Sequence, residues 1–231
     1  RPQVYLKLGI AYFNLDKNDE SLTQFQQLVK EYPNAQESDE AVEYIRNIFV
    51  EKQQPGDFVN FMRQNGKAVS FSEEDSLTYK SAMLRYEAKD FASAEGGFTD
   101  YLKRFPEGKY QIEAAYFAAE IAVFNKQPNN AYPFYQQVSA KAPNRYAERS
   151  ALQAARIAYF DLKDFAAAEK YFAQLKAIAT QQENKLEAMR GLLRCQYKAQ
   201  QWNNASTNAA ELLMEKGAAT DDRIYASRLH H

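Results

Sequence analysis

Apolar residues recur along this chain at intervals of three and four, and the apolar-polar alternation of a half-buried strand is absent. The spacing predicts helices joined by short turns from end to end. Superimposed on it is a longer repeat. The short segments around Phe91, Asn129, Phe165 and Trp202 each lead into an alanine, and these alanines (Ala94, Ala131, Ala168 and Ala205) stand 37 residues apart. Four residues beyond the alanine comes an aromatic ring (Phe98, Tyr135, Phe172), and eight beyond that a proline in two units (Pro106, Pro143). Upstream, Ser21, Phe25 and Pro33 keep the same internal offsets.

A period of this length identifies stacked supersecondary units, none of which buries its own apolar face. The predicted units cover about 2–37, 38–70, 75–110, 111–147, 148–184 and 185–220, with a partial seventh at 221–229. Small residues such as Gly9, Ala82, Ala119 and Ala131 are placed where two antiparallel helices cross closely, and the large rings fill the wedge between units. Unit two is the divergent one. Phe61 is read there at the small position, and a short second helix ends near Asn65-Gly66. An irregular crossover follows, closed by Ser72-Glu73-Glu74-Asp75 as the start of the next helix. The last segment, with Ile224, Tyr225 and Leu229 on one face, is read as a first helix lacking its partner, so a longer native chain is expected. His230 and His231 receive no role, whether native or added.

The order of residue types resembles the tetratricopeptide repeat family: a large aromatic, Leu-Gly, Tyr, a small residue, an aromatic and Pro. Unit one shows it nearly complete in Tyr5, Leu8-Gly9, Tyr12, Ser21, Phe25 and Pro33; unit three has Ala82, Tyr86, Phe91, Ala94, Phe98 and Pro106. The period of 37 exceeds the family's usual 34, so longer connections are expected. The resemblance implies an all-α, right-handed α-solenoid of antiparallel helix pairs, one continuous array over 1–229, whose first helices line a concave groove. Carried onto this chain, the groove positions include Tyr79, Met83 and Tyr86 in unit three, and Tyr116, Glu120 and Phe124 in unit four. Ile157 and Phe160 in unit five and Arg190, Arg194 and Tyr197 in unit six complete the set. The groove reads aromatic and mildly acidic in its middle and basic toward the C-terminal end. Tyr79, Met83 and Tyr116 are its best candidates for exposed anchors, the other rings having a competing role in packing between units.

Family members that grip a partner's C-terminal carboxylate use a Lys/Asn/Arg set of which only fragments occur here. The implied function is a non-catalytic scaffold holding a protein or peptide segment. The run Phe25-x-x-Leu28-x-x-x-Tyr32-Pro33-Asn34 is similar to repeats of bacterial envelope proteins, outer-membrane assembly lipoproteins and Tol-Pal coordinators among them. It implies a periplasmic or outer-membrane-associated location. Glycan capture by the same tyrosines is the alternative; an enzyme with an unrecognised site is a more distant one.

Charge and composition narrow the chemistry. With 29 Lys+Arg against 30 Asp+Glu in 231 residues, nothing draws the chain toward nucleic acid or a membrane surface. No apolar stretch approaches the roughly 18 residues of a membrane span. The single cysteine, Cys195, cannot form an internal disulfide, and the two histidines lie at the extreme C-terminus, so no Cys/His metal set can assemble. No phosphate-binding glycine loop or nucleophile elbow occurs, and Gly96-Gly97 falls inside a predicted helix. No cofactor, metal or catalytic residue is therefore assigned, and Cys195 is read as a buried small hydrophobe.

Overall fold

The computed structural model describes residues 1–230; the side chains of Leu229 and His230, and all of His231, lie outside the described residues, and with them the Leu229 part of the terminal apolar face. Among the described residues every regular element is helical. In order they are α1 (Pro2–Asn14), α2 (Asn18–Glu31), α3 (Gln36–Glu51), α4 (Pro55–Gln64), α5 (Phe71–Glu87) and α6 (Phe91–Arg104). Then follow α7 (Gln111–Phe124), α8 (Pro128–Ala140), α9 (Ala147–Arg156) running into a π-helical turn (Ile157–Asp161), α10 (Phe165–Ile178), α11 (Gln182–Lys198), α12 (Trp202–Met214) and α13 (Thr220–His230). The fold is an α-solenoid of helix pairs. It divides into two compact units, residues 1–114 and 115–231.

The repeat is written most plainly in the backbone of the turn inside each pair. Asp16, Gln53, Lys89, Lys126, Lys163 and Gln200 all adopt left-handed φ values of 56–60°, and each stands 36 or 37 residues from the last. One residue later the amide reaches back to close the helix end: Lys17 N–H to Tyr12 O, Gln54 to Phe49, Asp90 to Arg85, Gln127 to Ala122 and Gln201 to Gln196, all at 2.8–2.9 Å. This is the five-residue span of a Schellman closure, normally built on glycine because a Cβ is unfavourable at positive φ. Lys126→Gly is accordingly expected to raise stability by about 0.5–1 kcal/mol, read as a higher denaturant midpoint with unchanged slope. A lowered midpoint would show that the lysine side chain compensates its backbone.

Unit two keeps this register, which corrects the sequence reading. Counting from Gln53 as from every other turn residue, the small position is Phe58, not Phe61, and the aromatic position is Met62. Phe58 is fully buried beneath the Arg46 guanidinium, 5.3 Å from its ring centre. An open cleft of about 510 Å³ lies beside α4, bordered by Gln53, Pro55, Ala92 and Gly96. The short second helix is as expected: α4 ends at Gln64, and Gly66 takes φ +70°. The next helix begins two residues before the expected start. Ser70 caps it, its hydroxyl accepting from Glu73 N–H at 3.1 Å, so the working signal is Ser70-x-x-Glu73.

Close crossing explains the small residues. A Cβ on Gly9 would strike the Phe25 ring, and one on Gly97 would stand 2.7 Å from the Ala82 methyl; Gly96, by contrast, faces open space. Ala94, Ala131 and Ala168 are fully buried, and the rings of Phe98, Tyr135 and Phe172 four residues on are buried with them. Each such ring contributes about 1.5–3 kcal/mol by burial, so the rings hold the pairs together and the alanines set the distance.

Candidate functional site

The first helices of the pairs carry the expected groove residues, and many prove to be structural. Tyr79 is half-buried in a ring cluster: it stacks on Tyr110 at 4.3 Å and meets Phe98 and Tyr101 at about 6 Å, while its hydroxyl reaches the Met83 sulfur at 3.7 Å. Tyr116 stacks on Tyr146 at 4.2 Å, and Tyr86 leans on Phe91 and Phe98. The expectation that Tyr79 and Tyr116 stand free as anchors is therefore corrected; their rings pack. Ile157, 4% exposed, faces the core rather than a groove.

Charged members of the set are held in a ladder between successive first helices. Arg149 donates two hydrogen bonds to Glu120 (3.2 and 2.9 Å), Arg156 two to Glu187 (2.6 and 2.5 Å), and Arg190 two to Asp222 (2.7 and 2.5 Å). Such fork-to-fork pairs fix the register of one helix against the next. Glu120 also accepts from the Tyr135 hydroxyl at 2.5 Å, and the Arg190 bonds hold the Asp222 carboxyl below its usual range.

The expected groove residues that are exposed lie in residues 115–231. Phe124 is 67% exposed at the end of α7. Phe160 (53%), Tyr197 (45%), Trp202 (55%) and Tyr225 (40%) surround two adjoining recesses, of about 200 and 430 Å³, that share Tyr159 and Arg194. The smaller is lined by Phe172, Gly191 and Phe160, the larger by Tyr197, Lys198, Trp202 and Tyr225. Gly191 is required there, since a Cβ would stand 2.5 Å from the Phe172 ring.

The π-helical turn creates this geometry. In the other pairs the closing amide reaches back five residues, but Asp164 N–H reaches six, to Ala158 O at 2.9 Å, with Leu162 N–H on Ile157 O at 3.0 Å. One residue has been added to the helix without moving the turn. Tyr159 takes the packing place that Tyr86 has in α5, edge-on to Phe165 (5.2 Å) and Phe172 (6.5 Å) as Tyr86 meets Phe91 (5.5 Å) and Phe98 (6.3 Å). The following residue, Phe160, is pushed out toward solvent. Single π turns inside α-helices are often found at functional sites, because they aim a side chain that a regular helix would bury.

α11, which supplies Arg190, Arg194 and Tyr197, is anchored at its start by Glu148. That carboxylate accepts from Thr180 N–H (3.0 Å), Thr180 Oγ1 (2.7 Å), Gln181 N–H (3.3 Å) and Asn184 Nδ2 (2.8 Å). Partial burial pushes its pKa up, but the bonds from Asn184, Thr180 and Gln181 outweigh this and hold it at about 2. A carboxyl with a folded pKa below its unfolded one stabilises above the unfolded value and loses that contribution as pH falls through the folded value. Glu148→Gln should therefore flatten the acid side of the stability profile between about pH 4.5 and 2, measured by denaturation at stepped pH. An unchanged acid limb would remove Glu148 from that role.

Cys195 is buried, and that burial pushes its thiol up to about 12, which keeps it protonated and inert. Among the described residues no group of three His, Cys, Asp or Glu converges on a point. Among the described residues no helix is long and apolar enough to cross a membrane.

Taken with the paired helices and their recurring turns, this defines a helical-repeat protein with an aromatic and basic recess. Residues 3–35 and 75–108 match the family model described as tetratricopeptide repeat. No curated protein matches the sequence. Among solved structures, a Pseudomonas aeruginosa PilF is similar at 14% identity and TM-score 0.45, covering 98% of this chain and 97% of that one. The C-terminal part of a TPR repeat-containing protein from Cytophaga hutchinsonii is similar at 15% identity and TM-score 0.47, covering 98% and 87%. A TPR protein from Thermus thermophilus is similar at 15% identity and TM-score 0.34, covering 99% and 98%.

Proposed function

We propose that the chain is a non-catalytic interaction scaffold that holds a segment of another protein in the recess between α9 with its π turn, α11 and α13. Tetratricopeptide repeats generally mediate protein–protein interaction. The observation that carries the assignment to this surface is the extrusion of Phe160 beside exposed Tyr197, Trp202 and Tyr225, because contiguous exposed rings of this kind mark interaction sites. Tyr79, Tyr86 and Tyr116 pack against neighbouring rings, and Glu120 pairs with Arg149, so these residues are read as supports of their own helix pairs. A role in bacterial envelope assembly rests on the likeness of the Phe25 to Asn34 run to envelope repeats.

Capture of partners from an envelope fraction on immobilised protein tests this. The double variant Phe160→Ala, Tyr197→Ala should weaken binding of whatever is captured by about a hundredfold, while Lys170→Ala on α10 should leave it unchanged. Equal affinity in all three would move the binding surface elsewhere.

A further inference from the structure

The charges around the recess are not balanced. Its lining carries one carboxylate, Glu187, and three cations, Arg190, Arg194 and Lys198. Glu187 is taken by Arg156 and Arg190 by Asp222, each through two hydrogen bonds. Asp222 also accepts from Ala219 N–H at 3.0 Å. Glu169, one helix away on α10, accepts from Gln196 (3.3 Å) and Gln201 (3.1 Å). Arg194 forms no ion pair among the described residues, and Lys198 lies over the Phe165 ring at 4.8 Å with no carboxylate partner there. Two cations are thus left facing an aromatic recess whose acids are already occupied.

From this we infer that the recess selects an acidic polypeptide segment: an aromatic or large aliphatic side chain enters the smaller pocket against Phe160 and Phe172, and a neighbouring Asp or Glu is gripped by Arg194, with Lys198 adding attraction. The inference rests on the proposed binding function of the same site and names its partner's chemistry. A recess of about 200 Å³ accommodates one large side chain, and an unpaired guanidinium at its rim offers a carboxylate a two-pronged bond. Charge complementarity of this kind chooses among partners of equal apolar content.

Trp202 is the single tryptophan of the chain and borders the recess, so its fluorescence reports occupancy directly. Three synthetic peptides of one length, each with Phe and Leu at fixed places and with Glu, Gln or Lys between them, are titrated against the whole chain. The Glu peptide should change Trp202 emission with an affinity at least about tenfold above that of the Gln peptide, the Lys peptide should be weaker still, and added salt should narrow the gap. Arg194→Gln should abolish the preference for Glu over Gln while keeping the residual binding of the Gln peptide. Equal binding of the Gln or Lys peptide overturns the acidic preference but keeps the recess as a binding site. No emission change with any peptide at millimolar concentration overturns the inference as well; the recess itself then stands or falls with the Phe160 and Tyr197 variants in the capture experiment.

Discussion

Asp75→Ala is expected to cost about 3 kcal/mol, more than any other single polar substitution in residues 1–114, because a buried hydroxyl and a part-buried amide depend on that carboxylate. Asp75 is 3% exposed, just past the first turn of α5. One oxygen accepts from the Tyr101 hydroxyl, the other from Lys109 N–H at 2.8 Å, and the Tyr101 oxygen in turn accepts from Tyr110 N–H at 2.9 Å. The carboxylate thereby ties the start of α5 to the end of α6 and to the connection that follows. Gly108 is drawn in so tightly that a Cβ there would stand 2.8 Å from Asp75 Oδ1. Losing the carboxylate leaves the Tyr101 hydroxyl buried without an acceptor, at about 1–3 kcal/mol, and frees the part-buried Lys109 amide at a smaller cost. Tyr101→Phe should cost less, since it removes one link and keeps the ring. In a double-mutant cycle the two should be strongly non-additive. Circular dichroism should follow the unfolding, because the only tryptophan reports on residues 115–231 instead. A cost below about 1 kcal/mol would mean that water replaces the carboxylate.

The helix pairs were legible from sequence because their signals are local and repeated. Ala131 and Ala168 fall where the spacing of 37 puts them, fully buried, as are the rings four residues on. Cys195 and Gly9 also sit in the packed places assigned to them. Two features were misread for want of the turn residues. A lysine, glutamine or aspartate at positive φ has no distinctive identity, so the marker that would have placed Phe58 rather than Phe61 in register was invisible. The groove residues were harder still, because whether Tyr79 faces a partner or stacks on Tyr110 depends on a ring supplied from 31 positions away. Trp202, which the sequence marks only as part of a repeat segment, and Tyr159 both border the recess. One signal could have found the site. Tyr86 to Phe91 and Tyr197 to Trp202 are each five residues apart, whereas Tyr159 to Phe165 is six. That extra residue is the π turn.

Removing the extra residue is expected to separate stability from binding. With Phe160 deleted, Tyr159 would stand three residues before Lys163, as Tyr86 stands before Lys89 and Tyr197 before Gln200. The Asp164 amide would then reach back five residues to Ala158 O, the closure found in the neighbouring pairs. A regular α-helical end replaces a π turn of poorer geometry, and Tyr159 keeps its place on Phe165 and Phe172, so stability should change by less than about 1 kcal/mol. Deleting Ala154 in the last turn of α9, ahead of the π turn, makes the contrast. There the residues on one side of the deletion rotate by about 100° relative to the other, the buried set is exchanged for exposed positions, and the loss should be several kcal/mol. Binding should behave in the opposite way. Without the extruded ring the smaller recess loses one wall, and affinity for a captured partner should fall by about thirtyfold, near 2 kcal/mol. A Phe160 deletion as damaging to stability as that of Ala154 would show that the π turn is a packing necessity. A stable deletion that binds as before would show that the bulge has no part in recognition.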